Sequence, residues 1–284
     1  MSESSLGPVH WLHGLEDYFE FTKDTQSKQF VEFILKLVYA DNPVIKTTEA
    51  GSMEEFVYTL RKFADAPILD TFYKYYREGY NPIPLQDAFS RGQVQSKIWL
   101  VSELAKIKNN FDMIYVLAGW FGQITNYLDS TNIEYSKLRI IDFDSDACQI
   151  SDKVFNVKNI EGYKVKAVEH DLTDSNWVAR TGCSYNLKNY NNDKVTIEKT
   201  SPDLIINSSA EHFHEDWYHK FMYRQQSTDP LFVIQSNNLF DIPEHINAVH
   251  SIEEMKIKFP MSRIDYEGEL QLTGYKRFML IGRP

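Results

Sequence analysis

Two glycines and one aspartate carry the first chemical signal in this chain. Residues 112–122 read Asp-Met-Ile-Tyr-Val-Leu-Ala-Gly-Trp-Phe-Gly, an apolar run broken at Gly119 and Gly122. Residues 138–142 read Leu-Arg-Ile-Ile-Asp, a second apolar run ending on Asp142. Gly119 and Asp142 lie 23 residues apart, the length of one β–α–β unit. Glycine lets a backbone approach a ligand closely, and a carboxylate at the tip of the neighbouring strand can accept ribose hydroxyls. A nucleoside-containing ligand is therefore the first expectation. The plainer reading of the glycines is a tight strand-to-helix turn. For Asp142 it is a helix cap ahead of Ser145, but Asp144 is better placed to cap that helix.

A second group of candidates follows. Asp171, with Leu172 behind it, could meet a cofactor or cap a turn starting at Thr173. Further on, Glu211, His212, His214, Glu215, Asp216 and His219 form a dense polar stretch. Histidine, with an unperturbed pKa of ~6.5, can take a proton from a hydroxyl or amine near neutral pH. Glu211 or His212 could thus face a transferring group, and a solvated helix start is the bland alternative. Imidazole and carboxylate are ordinary Zn²⁺ ligands. His212 and His214 are two apart, however, and no helical pair at i, i+4 encloses a glutamate, so no metal is expected. Gln93, Ser96 and Lys97 lie just ahead of the first apolar run. They read either as a solvated helix face or as a helix passing over a cofactor's carboxylate end. His10 and His13 read as surface or packing residues.

Positioning these groups requires alternating elements. A helix is expected near residues 90–106, with strands at about 113–118, 137–142, 164–169, 203–207 and 231–236. Helices at about 121–129, 145–156 and 213–225 fall between them. Such alternation argues for a parallel sheet covered by helices. Residues 263–272 and 275–282 flank a Thr-Gly turn and read as a hairpin. Residues 181–200 contain Asn-Tyr-Asn-Asn-Asp and read as a polar inserted loop. Residues 1–88 read as a helical lobe. Phe30, Val31, Phe33, Ile34, Leu37 and Val38 recur at helical spacing, Ser52 and Glu55 resemble a capping box, and Leu69, Phe72, Tyr73 and Tyr76 mark a further helix. Gly79 and an Asn-Pro-Ile-Pro turn at 81–84 would end it.

Composition narrows the function. The 284 residues carry a net charge of −10 and are 43% hydrophobic, ample for a packed core. Residues 1–90 hold 8 basic and 14 acidic residues. Binding to extended duplex nucleic acid relies on Lys and Arg at phosphates and is disfavoured. Two cysteines make no disulfide framework, and the amino-terminal residues lack a signal-peptide pattern, so a cytoplasmic setting is expected. No apolar run is long enough to cross a membrane.

Five parallel strands, a nucleoside-type site at the first two and a terminal antiparallel hairpin together resemble a class I S-adenosylmethionine-dependent methyltransferase. The resemblance covers about residues 89–284. It implies an α/β, Rossmann-like, mostly parallel sheet with an antiparallel terminal hairpin, carrying a helical amino-terminal lobe (residues 1–88). Val116-Leu-Ala-Gly119-Trp120-Phe-Gly122 is similar to the glycine loop under the methionine part of the cofactor. Ile140-Ile-Asp142-Phe143-Asp144 resembles the acidic strand tip at the ribose. Glu169-His-Asp171-Leu172 is similar to the segment flanking the adenine. Asn207-Ser-Ser-Ala-Glu211-His212 resembles the exit of the fourth strand, where an acid–histidine pair occurs. The resemblance implies S-adenosylmethionine as cofactor, held by Gly119, Trp120, Gly122, Asp142, Phe143, Asp171, Leu172 and Lys97. It places Asn207, Glu211 and His212 at the reaction. Arg91-Gly-Gln93-Val-Gln-Ser96-Lys97 is also similar to a helix of methyltransferase-like proteins of tailed phages, which would place the protein in a host cytoplasm.

Three departures matter. The usual Gly-x-Gly is Gly-Trp-Phe-Gly, whose bulky residues could narrow the pocket. Asn207 is followed by Ser208, Ser209 and Ala210, not by the Pro-Pro-Tyr of base amino-methyltransferases, and there is no Pro-Cys nucleophile. The expected acceptor is a small molecule or protein rather than duplex nucleic acid, with the amino-terminal lobe shaping its pocket. The alternative is a catalytically inactive methyltransferase fold serving as a structural or interaction module, with a phage particle or other assembly as its partner. A dinucleotide or nucleotide-sugar enzyme is a weaker third reading, since no full Gly-x-Gly-x-x-Gly is present.

Overall fold

A computed structural model describes residues 10–39, 61, 67–77, 79, 87–155, 163–174, 177–179, 182–190, 192–224 and 229–284. The Ser52–Glu55 capping pattern and the turn at 81–84 fall outside these residues. The chain divides into two compact units, 1–99 and 100–284.

The first unit contains helices α1 (His10–Thr22), α2 (Thr25–Tyr39), α3 (Pro67–Arg77) and the start of α4 (Arg91–Ile107). Trp11, Leu12, Leu15, Tyr18 and Phe19 are buried along one stripe of α1, the 3.6-residue periodicity of a core-facing helix. Trp11 stacks on Phe72 with ring centres 5.5 Å apart, and Phe72 meets Phe89 edge-on at 4.6 Å. The carboxylate of Asp24 accepts the backbone N–H of Ser27 at 3.1 Å and caps α2. Asp17 accepts two hydrogen bonds from Arg91, at 2.8 and 3.1 Å.

The second unit is built on seven strands: β1 (Asn110–Leu117), β2 (Glu134–Asp142), β3 (Val165–Glu169), β7 (Leu204–Asn207), β8 (Leu231–Asn237), β9 (Arg263–Leu272) and β10 (Tyr275–Arg283). Their order across the sheet is β3-β2-β1-β7-β8-β10-β9. β1, β2, β3, β7 and β8 pair in parallel, and β10 lies antiparallel between β8 and β9. This is the Rossmann-like sheet of the class I methyltransferase type. All seven residues of β8 and all four of β7 are buried, as expected of central strands covered on both faces. Helices α5 (Ile124–Asp129), α6 (Ser145–Phe155), α7 (Asp216–Arg224) and α8 (Ile252–Lys258) accompany the sheet. The helix after β1 begins at Ile124, so α5 starts three residues later than its sequence suggests.

The described residues between 182 and 200 are not an irregular loop. They form most of a second, antiparallel sheet, β4 (Val178–Ala179), β5 (Gly182–Asn189) and β6 (Lys194–Thr200). Cys183, Tyr185 and Leu187 alternate onto one buried face and join the core beside Tyr115 and Trp177. Within the Asn-rich run that suggested a loop, Asn189 ends β5, and Tyr190, Asn192 and Asp193 lie in turns. One polar network ties it to the main sheet. Glu198 takes a two-pronged ion pair from buried Arg139 at 2.8 and 3.0 Å, and Thr200 Oγ1 meets the Tyr115 and Tyr185 hydroxyls at 2.6 and 2.7 Å. Burial pushes the Glu198 carboxyl up, but Arg139 outweighs it and holds the group below its ordinary range. Cys148 and Cys183 are free and buried. Among the described residues no helix is long and apolar enough to cross a membrane.

Candidate functional site

The strand order reverses between β1 and β7, and the carboxyl ends of these two strands are where ligands sit in open α/β sheets. Gly119 follows β1, Asp142 ends β2 and Asn207 ends β7.

The glycine loop is held in an unusual conformation. Ala118, Trp120 and Gly122 have φ of 50°, 45° and 72°. Left-handed backbone costs non-glycine residues about 1–2 kcal/mol each, so the surrounding structure must enforce it. Gly119 is set by space. A Cβ there would lie 2.5 Å from Ile140 Cγ2, and its N–H donates to the Ile141 carbonyl at 3.3 Å. Gly122 is set by both space and φ, because a Cβ would meet Ile140 Cδ1 at 2.4 Å. The two bulky loop residues divide their roles. Phe121 turns into the core, while Trp120 stays partly exposed with its ring 4.1 Å from that of Phe121.

Asp142 fastens this loop. Its Oδ2 accepts the Trp120 N–H at 2.7 Å and its Oδ1 the Asp144 N–H at 3.0 Å. Burial pushes the Asp142 carboxyl above its ordinary range, and the backbone donors at Asp144 and Trp120 oppose that shift. A carboxylate offers about four lone-pair sites, so each oxygen keeps capacity for one further donor. Asp144, as its sequence position suggested, caps α6 by accepting the N–H groups of Asp146 and Ala147 at 2.9 and 3.0 Å. Phe143, between the two acids, is 71% exposed. A bare phenyl beside the strand-tip acid is a surface on which a planar base could stack.

The third segment is more divided. The His170 N–H donates to the Asp142 carbonyl at 2.8 Å and joins the two strand tips. Asp171 is exposed, and its Oδ1 accepts both the N–H and the hydroxyl of Thr173, at 2.8 and 2.7 Å. These donors hold its carboxyl below the ordinary range. The turn-capping role is therefore occupied by visible partners. Leu172 is buried within the core cluster. Lys97 belongs to the first unit, where its ammonium donates to the Gln93 side chain at 2.7 Å.

The segment after β7 is assembled from distant residues. Asn207 is fully buried, and its side-chain oxygen accepts the Ser209 N–H at 3.0 Å. Glu211 sits in a short 3₁₀ turn (Ala210–His212) and is 2% exposed. Its Oε1 accepts from Asn237 at 2.7 Å and from the Arg277 guanidinium at 3.3 Å. Arg277 also donates to the Ser208 carbonyl at 2.7 Å. His212 is exposed and packs edge-on against His245 with ring centres 4.7 Å apart. Each ring directs Nδ1 at a main-chain carbonyl, His212 at Glu244 (3.2 Å) and His245 at Leu239 (3.0 Å). His214 is exposed, and His219 lies within α7. Asn237, His245 and Arg277 escaped the sequence reading. Only the polar run Gln-Ser-Asn-Asn at 235–238, ending an apolar strand, hinted at them.

No family model and no curated protein matches this chain. Solved structures resemble it at low identity. A SAM-dependent methyltransferase from Aquifex aeolicus shares 12% identity, with a TM-score of 0.47 over 72% of this chain and 98% of that one. The N-methyltransferase NodS from Bradyrhizobium japonicum shares 10%, with a TM-score of 0.46 over 66% and 94%. TrmK from M. capricolum, solved with S-adenosyl-homocysteine, shares 11%, with a TM-score of 0.41 over 64% and 66%. The fold assignment rests on the strand order and pairing described above.

Proposed function

We propose that this chain is an S-adenosylmethionine-dependent methyltransferase acting on a small molecule or protein. The observation that carries the reading is Asp142. It is a buried strand-tip carboxylate, clamped to the strained glycine loop and still holding lone pairs for a ribose diol. The donor set suits the cofactor. Backbone of the 118–122 loop would lie under its methionine part, Asp142 would accept ribose hydroxyls, and the Phe143 ring would cover the base. When bound, the cofactor supplies an electrophilic methyl group on a sulfonium.

The chain's own residues would then orient and hold a proton. Positioning two reactants supplies much of the rate in such transfers. His212 bonds through Nδ1 to a carbonyl, which can only accept, so Nδ1 carries the proton and Nε2 keeps a basic lone pair. The buried Glu211–Arg277–Asn237 cluster fixes the turn from which His212 projects. The net charge of −10 favours an acceptor other than a nucleic-acid backbone.

Calorimetry with S-adenosylhomocysteine tests the reading. The wild type should bind, and Asp142→Asn should bind about 10–100-fold more weakly, the equivalent of ~1.5–3 kcal/mol for a hydrogen bond to a charged group. Phe143→Ala should weaken binding less. Absence of binding by the folded wild type would sink the enzyme reading and leave the inactive-module alternative.

A further inference from the structure

Glu211, His212 and His245 each place one potential ligand atom so that all three lie within 4.8 Å of one another. Donors sharing one Zn²⁺ ion at ~2.1 Å stand ~3.4 Å apart, so side-chain shifts of about one ångström would close the set. Two independent observations point to a ligand here. The first is Glu211. It is 2% exposed, yet its Oε2 has no hydrogen-bond partner while Oε1 is held by Asn237 and Arg277. An unpaired buried carboxylate oxygen is expensive. The second is the orientation of the two imidazoles. Both present Nδ1 to a main-chain carbonyl. That arrangement fixes the tautomer, leaves Nε2 as the free donor, and is the outer-shell support usual for metal-bound histidine.

We propose that Glu211, His212 and His245 bind one divalent transition-metal cation, with at least one coordination position left open. Two imidazoles and one carboxylate form a three-ligand donor set suited to Zn²⁺ and its neighbours in the first row, and such sets keep a position for water or substrate. Sequence spacing sets His212 beside His214, its neighbour in the chain. The partner is His245, which lies 33 residues further on and reaches the site through the connection after β8. The site itself stands on geometry alone. Its meaning for catalysis rests on the methyltransferase reading, in which His212 Nε2 would coordinate the cation instead of accepting a proton.

The test uses the full chain, freed of metal with a chelator. Zn²⁺ is titrated calorimetrically, and Co²⁺ is followed by its visible d–d absorption. The wild type should bind one Zn²⁺ per chain. Loss of a ligand in His212→Gln or His245→Gln should weaken binding by at least about tenfold, whereas His214→Gln should bind as the wild type does. Circular dichroism checks that each variant is folded. Zn²⁺ should also raise the unfolding temperature of the wild type and of His214→Gln, but not of the other two variants. No binding by the wild type, or equal binding by all four proteins, overturns the proposal. S-adenosylhomocysteine binding, measured separately on the same metal-free protein, reports on the methyltransferase reading. Either inference can therefore fail while the other stands.

Discussion

The two halves of the candidate site are built in opposite ways. The half proposed to hold the cofactor, from Gly119 to Asp144, is made of residues close in sequence and satisfied by backbone. Asp142 is answered by the N–H groups of Trp120 and Asp144, and Gly122 donates to Gly119 at 2.8 Å. The half proposed to face the acceptor joins Asn207, Glu211, Asn237, His245 and Arg277 from four separate segments. It leaves Asn207 Nδ2, Glu211 Oε2 and Arg277 Nε without partners. A backbone-satisfied site resists change through steric and conformational limits. A side-chain network in a dry interior is fragile, because every member removed leaves a charge or dipole behind.

That contrast is sharpest at Arg277. Arg277→Met keeps bulk but strips the buried Glu211 carboxylate of its only ion-pair partner among the described residues. Breaking such a pair from one side costs ~3–5 kcal/mol. Chemical denaturation should show a loss of that size, and the double variant Arg277→Met/Glu211→Gln should recover part of it. A loss below ~1 kcal/mol would mean that Glu211 is solvated, and the proposed fragility of the acceptor half would be wrong.

Gly122→Ala probes the other half. The new methyl would need φ near 72° and would sit 2.4 Å from Ile140 Cδ1 and 2.6 Å from Ser151 Oγ. Left-handed strain and overpacking together predict a loss of about 2–4 kcal/mol. Binding of S-adenosylhomocysteine should fall as well, since the loop must shift. If both stability and binding survived, the loop would be pliable and its left-handed residues would carry no constraint.

The same contrast explains what could be read from residues alone. Gly119, Asp142 and Asp144 announce themselves because strand, turn and acid follow one another within a β–α–β unit, and each strand assignment there falls within three residues of its observed ends. The β5–β6 hairpin was hidden because its turn is richer in asparagine than its strands are in apolar residues. Only Cys183, Tyr185 and Leu187 mark the buried face. Asp171 could be read two ways, and its visible partners at Thr173 belong to the turn. The pairing of His212 with His245 had no local signal, since it depends on where the chain returns after β8. Arg277 lay in a strand of the terminal hairpin, where nothing but the fold directs it toward Glu211.

The smallest effect is a pH dependence, in which Asp142 and His245 act with opposite signs. Burial holds the His245 imidazole below its ordinary pKa, with Glu211 opposing, and burial does the same to His170. A histidine with a depressed folded-state pKa takes up protons more readily when unfolded. Its effect on stability is therefore absent well above ~6.5, the unperturbed value, and stability declines as pH falls through that value toward the lower folded one. Asp142 behaves in the opposite sense, because its raised pKa makes the folded state bind protons more readily above ~3.9, the unperturbed aspartate value. Denaturation midpoints of metal-free protein should thus decline modestly between pH 7 and 5.5. The decline should shrink in His245→Gln and again when His170→Gln is added. Both rings are partly solvated, so the change should be smaller than either substitution effect above. A flat profile in the wild type, or a decline unaltered by His245→Gln, would show that this ring titrates freely. The acceptor half would then be wetter than its buried glutamate implies.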